Sequence, residues 1–524
     1  MRKTVRVNVN PQSRDDTESV VQKALTKAQI NPASGKGRIL RRSLDARQRN
    51  AYYVFQVEVW DTEDTAPDPP AIPVYQMVDE SRTACIIGAG PAGYFAALEL
   101  LTLGIKPILF ERGKDVRSRR RDLKAIQQFS TVDPNSNYCF GEGGAGTYSD
   151  GKLYTRATKR GNVRSVLETL VAHGASSEIL IDAHPHIGSN KLPGIIAAIR
   201  ETIVSHGGEV HFESRMTDIL LGDEKVVGIV INTEREFAFD NIILATGHSA
   251  RDIYELLASK GIRIELKPFA LGVRIEHPQP LIDSIQYKRK SRGDDLPAAS
   301  YRLACNVDNK GVYSFCMCPG GLVVPSATAP GEIVVNGMSL SRRDSPYANA
   351  GTVVSVDEKL ILKVTGGRDA LAGMKFQRSV EQRCFESGDG SQAAPAQRLV
   401  DFVKGRRSGD IPDSSYIPGL FSYDVASLLP SEIAHALKHG VRQFGKRMKG
   451  YMTNEAVVIA TESRTSSPVR IPRDEKTLMH PHVEGLFPSG EGAGYAGGIV
   501  SAAVDGMRVA QSLVEFLKAQ AANK

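Results

Sequence analysis

A glycine-rich turn between an apolar run and a helical segment constrains this chain more than any other feature. Residues 84–87 predict a buried strand, and Gly88, Gly90 and Gly93 follow it in the spacing GxGxxG. Such glycines allow a tight turn, a close approach of the backbone to a pyrophosphate, and close packing of helix on strand. A second predicted strand, 107–110, ends at Glu111, which is placed to accept hydrogen bonds from a ribose. We therefore expect a dinucleotide site here.

Two distant segments suggest which dinucleotide binds. An apolar strand from residue 241 ends in the turn Ala245-Thr246-Gly247, and the turn 485–494 leads into a helix that reaches to about residue 517. Both segments resemble the FAD-binding flavoproteins of the glutathione-reductase class. That resemblance implies that the first strand lies beside FAD and that Gly490 and Glu491 hold its ribityl-pyrophosphate. It also implies that the helix after Gly497 and Gly498 points its N-terminus at the flavin.

Two further motifs are similar to a narrower family. Residues 141–153 read GEGGAGTYSDGKL and residues 464–470 read RTSSPVR. Through them the chain resembles the FAD-dependent dehydrogenase (NAD(P)/FAD-dependent oxidoreductase) family over nearly its whole length. The resemblance implies a dehydrogenase or reductase that passes hydride or electrons between non-covalently bound FAD and a small molecule. It does not identify the substrate.

These motifs give a set of expected cofactor contacts. The glycines of the loop 141–152 indicate that backbone approaches a ring or a phosphate closely. Arginines just after the ribose-binding strand are candidates for a phosphate contact. The expected FAD contacts are Gly88, Gly90, Pro91, Ala92, Gly93, Glu111, Arg112, Arg119, Gly144, Ala145, Gly146, Ser149, Asp150, Gly151, Lys152, Met216, Ala245, Thr246, Gly247, Arg464, Gly490, Glu491, Gly497, Gly498 and Ile499.

The pattern of elements predicts an α/β fold with several domains, because 524 residues exceed one compact core. Residues 1–75 predict a small N-terminal α/β module of ferredoxin-like type, closed by a Pro- and Asp-rich linker. A Rossmann-like FAD-binding domain is expected in two parts, 82–261 and 450–524. Residues 262–449 are expected to form a mixed α+β cap that carries the substrate side of the site.

No second strand–GxGxxG–helix unit is found in the sequence. Thr365-Gly366-Gly367-Arg368 follows a possible strand but lacks the spacing. A built-in NAD(P)H domain is therefore not expected. The electron donor or acceptor, NAD(P)H or another protein, would have to reach the flavin through the cap.

The composition of the sequence limits the classes of protein to which this chain can belong. No window approaches the roughly 18–20 apolar residues that cross a bilayer, the N-terminus lacks a signal-peptide core, and six cysteines form no disulfide framework. A cytoplasmic protein is expected. The net charge of +7 is too mild to indicate nucleic acid by itself. A basic stretch at 36–49 leaves two alternatives open: a flavin-dependent RNA-modifying enzyme, or an electron-transfer flavoprotein that docks a redox partner.

Few residues are candidates for chemistry on the substrate side of the flavin. Cys316 and Cys318 are two apart in a predicted strand, so both thiols could face the flavin as a redox pair. The alternative that we favour is a pair of buried structural cysteines; a metal site lacks further paired ligands, and none is expected. His277 is a candidate general acid or base, and Arg274 could hold an anionic substrate.

Overall fold

The N-terminal residues fold as one helix on a three-stranded sheet in the computed structural model, which describes residues 2–48, 50–61, 73–155, 161–367 and 369–522. The elements are β1 (Arg2–Val9), α1 (Thr17–Ala28), β2 (Lys36–Asp45) and β3 (Tyr52–Trp60), with antiparallel sheet order β1-β3-β2. Asp16 caps α1 by accepting from the Ser19 N–H. A ferredoxin-like unit has four strands and two helices, so that part of the prediction is not confirmed.

A parallel sheet of five strands follows, with helices beside it. The elements before the cap are β4 (Thr83–Ile87), α2 (Pro91–Thr102), β5 (Lys106–Phe110), α3 (Val116–Phe129), α4 (Val163–Ala172), α5 (Leu192–Ser205), β6 (Glu209–His211), β7 (Met216–Gly222), β8 (Lys225–Ile231), β9 (Arg235–Ala238), β10 (Ile242–Leu244) and α6 (Arg251–Ser259). Strands β7, β8 and β9 form a separate antiparallel sheet.

The cap and the C-terminal segment complete the chain. Their elements are β11 (Glu265–Leu266), β12 (Phe269–Pro278), α7 (Gln279–Tyr287), β13 (Ala304–Val307), β14 (Lys310–Cys318), β15 (Gly321–Pro325), β16 (Val335–Ser339), β17 (Tyr347–Val356), α8 (Glu358–Thr365), α9 (Ala372–Glu386), β18 (Ala394–Arg398), α10 (Leu399–Lys404), β19 (Leu420–Ser422), α11 (Val425–Leu428), α12 (Ser431–Arg447), β20 (Val457–Glu462), β21 (Val469–Arg470), β22 (Leu486–Pro488) and α13 (Ile499–Ala522).

The order of the parallel sheet creates a binding crevice. The strands run β22-β10-β4-β5-β6, so the chain leaves β4 toward β5 on one side, while β10 pairs with β4 on the other. Ligands of open parallel sheets bind outside the carboxyl ends of the strands where the order reverses in this way. The turn after β4 therefore lies at the expected ligand position. Helix α13 packs on α2, and a Cβ at Gly506 would lie 2.1 Å from the Ala92 carbonyl oxygen.

The cap is built on a seven-stranded sheet of order β13-β14-β17-β12-β20-β18-β19. Strand β20 belongs to this sheet because Val457–Glu462 is buried throughout and pairs with β12 on one side and β18 on the other. The boundary predicted at residue 450 is therefore wrong, since the second part of the nucleotide domain begins after β20. The possible strand before Gly366 is α8, and Gly366 ends that helix at φ +69°. Arg368 lies outside the described residues.

Among the helices of the described residues, none combines the length and apolar character needed to cross a membrane.

Candidate FAD site and active-site cavity

A cavity of about 370 Å³ lies between the carboxyl ends of β4, β5 and β10 and the cap sheet. We call its first side the nucleotide wall, formed by residues of the segments 87–92, 110–112, 144–152 and 245–253. The opposite side, the cap wall, consists of Phe315, Cys316, Asn336, Gly337, Glu462, Arg464 and Thr465. Most expected cofactor contacts line the cavity; those that do not are Gly93, Arg119 and Gly490.

The three glycines after β4 have three different roles. Gly88 has φ +104°, and a Cβ there would lie 2.6 Å from the Ala245 carbonyl oxygen. A Cβ at Gly93 would lie 1.9 Å from the Gly88 carbonyl oxygen, so Gly93 permits helix–strand packing rather than ligand contact. A Cβ at Gly90 would meet no protein atom nearer than Gly144 Cα at 3.9 Å and would enter the cavity. Gly90 thus leaves space for a ligand.

Glu111 fixes the backbone around this turn. Its Oε2 accepts from the Ala89 N–H at 2.9 Å, and its Oε1 accepts from the Gly113 and Gly141 N–H groups at 2.9 Å each. The carboxylate is buried but still faces the cavity. Glu111 therefore joins the glycine turn to the glycine loop 141–152, and retains acceptor capacity for a ribose.

Arg119 does not contact a phosphate position. Its guanidinium is fully buried and donates to the carbonyl oxygens of Asn137, Gly141, Glu142 and Gly144, at 2.8 to 3.2 Å. Burial lowers the pKa of Arg119. The predicted role is thus corrected: this side chain supports the glycine loop from behind.

Glu142 is a structural residue of the loop that sequence reasoning missed. Its carboxylate is buried and accepts from the Tyr94 hydroxyl at 2.8 Å and the Val116 N–H at 2.7 Å, with Arg200 Nη1 at 3.0 Å. Burial raises the pKa of Glu142. The sequence signal that could have identified this role is an acidic residue within a run of glycines. It ties the loop to α2, α3 and α5.

The donors and open space around the cavity fit FAD. Gly90 is the N-cap residue of α2 and supplies no side-chain cap, which leaves the N–H groups of the first turn available to a phosphate. A Cβ at Gly497 or Gly498 would meet no atom within 4 Å, so the approach to α13 is open to a flat ring. Ser249 Oγ and Arg112 Nε are buried without a hydrogen-bond partner among the described residues, and both residues line the cavity. These are features of a site shaped around a polar ligand.

The cysteine pair differs from its predicted geometry. Cys316 has φ +44°, and the pairing of β14 with β17 shifts register between Phe315 and Cys318. This bulge puts Cys316 in the cap wall, while Cys318 is fully buried and does not line the cavity. The Cys318 thiol lies 3.3 Å from the Cys316 carbonyl oxygen and is placed to donate to it. The prediction that both thiols face the flavin is corrected, since only Cys316 reaches the cavity.

Charged side chains of the nucleotide wall lie beside Cys316. Lys152 Nζ lies 3.8 Å from the Cys316 Sγ and 3.1 Å from Asp150 Oδ2, and it donates to the Met317 carbonyl oxygen. Arg343 Nη2 lies 3.0 Å from the same Asp150 oxygen. Burial opposes ionisation of Asp150, but Lys152 and Arg343 hold its pKa below the usual range. Lys152 is thus held against the thiol by an ionised carboxylate.

Arg274 positions the cap wall from behind. It is fully buried, and its guanidinium contacts both Glu462 oxygens, at 2.8 and 3.0 Å, and Asn349 Oδ1 at 2.7 Å. A Cβ at Gly337 would lie 2.1 Å from Arg274 Nη1, which explains the glycine. Arg274 does not line the cavity, so the structure does not place it where it could hold an anionic substrate. Its partner Glu462 does line the cavity, and sequence reasoning missed it.

His277 does not reach the cavity either. Its ring is fully buried against Tyr451, and its Nε2 lies 2.8 Å from the Tyr451 carbonyl oxygen. Burial lowers the pKa of His277 to about 4, so the ring is neutral near pH 7. The structure thus gives no support to His277 as a general acid or base, because no reacting group can approach it.

Arg464 enters a buried network of four charges. Its Nη2 lies 2.7 Å from Glu332 and 3.1 Å from Glu381, while Arg251 on α6 lies 3.0 and 2.8 Å from the same two carboxylates. Burial would raise the pKa of Glu381, but Arg251 and Arg464 together hold it below its usual range. The network joins α6 of the nucleotide domain to α9 of the cap and forms one edge of the cavity.

The fold and this cavity define an FAD-dependent flavoprotein, and comparisons with known proteins agree. Residues 82–262 match a family model described as pyridine nucleotide-disulphide oxidoreductase, and residues 268–465 match one described as FAD-dependent protein, C-terminal domain-like. Residues 1–60 match a domain of unknown function. An uncharacterized protein of Clostridium beijerinckii is 40% identical, over 98% of both chains. The chain belongs to the family of FAD-dependent proteins that includes this relative, and its cofactor is FAD.

Solved structures show only a distant likeness. A flavoprotein/dehydrogenase from Cytophaga hutchinsonii is 11% identical with a TM-score of 0.36, over 84% of this chain and 79% of that one. A geranylgeranyl bacteriochlorophyll reductase-like protein from Thermoplasma acidophilum is 12% identical with a TM-score of 0.33, over 84% and 80%. These TM-scores are too low to support a functional comparison.

Proposed function

We propose that this protein is a dehydrogenase or reductase that passes hydride or electrons between non-covalently bound FAD and a small molecule. The single observation that carries the proposal is one cavity shared by a nucleotide wall built of backbone and a cap wall bearing Cys316 and Glu462. When bound, FAD supplies the two-electron chemistry, and the protein supplies orientation and electrostatics. A glutathione-reductase-like arrangement of the cofactor is part of this proposal.

The chain's own residues would bind and orient the cofactor in a definite way. The N–H groups at the start of α2 would bind the pyrophosphate, and Glu111 would accept from the ribose. The N-terminus of α13, after Gly497 and Gly498, would stabilise negative charge on the reduced ring by the same argument as an oxyanion hole. Arg112, held by Asp252 at 2.9 Å and stacked 4.3 Å from the Phe140 ring centre, would close the nucleotide end.

The described residues contain a single five-stranded parallel sheet, and no second nucleotide-binding turn follows it. The electron donor or acceptor therefore has no separate nucleotide domain there, and its identity can be tested directly. We propose that the donor or acceptor reaches the ring through the cap side. The FAD-loaded protein should be titrated anaerobically with NADH, NADPH and reduced ferredoxin while flavin absorbance is followed. Bleaching by a pyridine nucleotide would support a dehydrogenase or reductase. Bleaching by reduced ferredoxin alone would favour the electron-transfer alternative, and no bleaching by any of them would contradict the proposal.

Three arginines of the basic stretch are paired with carboxylates, which argues against the RNA-modifying alternative. Arg38 Nε lies 2.8 Å from Glu58, Arg42 Nε lies 2.8 Å from Asp182, and Arg47 pairs with Asp45. Side chains that are paired with carboxylates have less charge to offer a phosphate backbone. We therefore keep a small-molecule substrate as the proposed partner.

A further inference from the structure

The cavity opens to solvent beside Tyr154. This tyrosine lines the cavity, and half of its surface is exposed. Its ring packs edge-on against the ring of His184, with 5.0 Å between the ring centres. Lys152, on the same segment, also lines the cavity, and its Nζ lies 3.1 Å from Asp150 Oδ2. We call this place the cavity mouth, and the residues that form it are Asp150, Lys152, Tyr154, His184, Arg343 and Arg41.

Backbone hydrogen bonds connect the N-terminal module to the cavity mouth. The Arg42 N–H donates to the Ile181 carbonyl oxygen at 2.7 Å, and the Ala183 N–H donates to the Arg42 carbonyl oxygen at 2.9 Å. A little further along the same segment, the Pro185 carbonyl oxygen accepts from the Leu153 N–H at 3.0 Å. Strand β2 of the module is thus held beside the segment that pairs with the cavity wall.

Arg41 is the cation that the N-terminal module contributes to the mouth. It pairs with Gln56 in the sheet and is exposed. The neighbours of Gln56 on β3 are buried against α1, so Arg41 lies on the sheet face that α1 leaves open. Arg38, Arg42 and Arg47 of the same basic stretch are paired with carboxylates, whereas Arg41 makes no ion pair with any residue that the structure describes. Its charge is therefore available to a ligand.

Positive charge exceeds negative charge at the cavity mouth. Arg343 Nη2 lies 3.0 Å from Asp150 Oδ2, so Arg343 and Lys152 share one carboxylate. Arg343 Nε is buried without a hydrogen-bond partner among the described residues. Partial burial lowers the pKa of His184, and Arg41 and Arg343 lower it further, which indicates that both guanidinium groups lie near its ring. The mouth thus carries three cations, one carboxylate and, near pH 7, a neutral histidine.

We propose that the cavity mouth binds the phosphate group of a small molecule that exchanges electrons with FAD, with Arg343 and Arg41 as the phosphate ligands. Guanidinium groups match phosphate oxygens with two parallel hydrogen bonds, and the excess of positive charge favours a dianion over a neutral molecule. The same charges attract an anion from solution and raise its rate of entry. This inference rests on the proposed function, because the phosphate-bearing molecule is the reaction partner of the bound FAD. A pyridine nucleotide and a phosphorylated substrate share this chemistry, and competition separates the two.

Binding of inorganic pyrophosphate tests the site in FAD-loaded protein, in which FAD already occupies the nucleotide wall. Calorimetric titration at low salt should show saturable binding. Arg41→Met should weaken it by about threefold, the effect of an exposed ion pair, and Arg343→Met by about tenfold, the effect of a hydrogen bond to a charged group. Lys23→Met, at an exposed position of α1 in the same module, is the matched control and should bind like wild type. Equal affinities in wild type, Arg41→Met and Arg343→Met, or no saturable binding at millimolar pyrophosphate, would overturn the proposal.

Competition in the anaerobic titration identifies the source of the phosphate. If the site holds a pyridine nucleotide, pyrophosphate should raise the NADPH concentration needed for half of the bleaching, and Arg41→Met should raise it too. Bleaching that does not respond to pyrophosphate, in protein that binds it, assigns the site to a phosphorylated substrate. Protein whose FAD is reduced but that binds no pyrophosphate refutes only this inference, whereas protein that binds pyrophosphate but accepts no electrons refutes the proposed function.

Discussion

The nucleotide wall and the cap wall of the same cavity are built by different means. The first is backbone from a short stretch of chain, in which Gly90 leaves space and Glu111 binds three N–H groups. The second is made of side chains from distant strands, held by buried ion pairs such as Arg274–Glu462 and Arg464–Glu381. Substitutions in the cap wall should therefore cost folding stability, whereas substitutions in the nucleotide wall should cost cofactor affinity.

The largest effect should follow from Glu381→Gln. The variant keeps the shape of the side chain but leaves Arg251 and Arg464 with one buried carboxylate between them. Removing one member of a buried ion network typically costs about 3–5 kcal/mol. Chemical unfolding of the FAD-loaded protein should show this loss. Glu432→Gln is the matched control: its partner Lys363 is 70% exposed, so the cost should stay within about 1 kcal/mol. Equal losses of folding stability in both variants would contradict the distinction between the buried ion network and an exposed ion pair.

Next in size is a pH effect from His277, behind the cap wall. Burial lowers its pKa from 6.5 to about 4 in the folded protein. Above pH 6.5 the ring is neutral in both states; as pH falls from 6.5 to 4, only the unfolded chain takes up the proton. Stability contributed by this group is thus lost over that window, by up to about 3 kcal/mol. His277→Gln keeps a donor for the Tyr451 carbonyl and should lose less stability than wild type between pH 7 and pH 4.5. Parallel losses would show that His277 ionises freely in the fold.

A smaller free-energy change is expected for Gly90→Leu in the nucleotide wall. Its Cβ would meet no backbone clash, so the apoprotein should fold, but the side chain would occupy the cavity. We expect FAD to bind about 100-fold more weakly, equivalent to about 2.7 kcal/mol. Titration of apoprotein with FAD measures this. Gly194→Leu, at an exposed position of α5 with no atom within 4 Å of the added Cβ, should bind FAD like wild type.

The contrast between the walls also explains which parts the sequence could predict. The turn after β4 and the acid at Glu111 form a local pattern with a fixed spacing, so their place at the strand ends followed from the sequence. Glu332 and Glu381 carry no such pattern, because their partners Arg251 and Arg464 lie far away along the chain. Loop glycines pointed to close packing but did not show that Arg119 would fill the space behind them. The cavity position of Cys316 depends on a bulge, and one residue of register decides which face a side chain takes.

The smallest effect should come from a contact that belongs to neither wall. Arg42 joins the N-terminal module to the segment after α4, with Nε 2.8 Å from Asp182 and Nη2 3.1 Å from Glu178. Arg42→Met should lower stability by about 1 kcal/mol, because Glu178 is largely exposed and screened by solvent. FAD affinity should not change, since Arg42 does not line the cavity. Weaker FAD binding by this variant would show that the N-terminal module affects the nucleotide wall.

Filter binding with tRNA tests the basic stretch of that module separately. If tRNA retention falls in Arg42→Met and with added salt, the basic stretch binds nucleic acid after all.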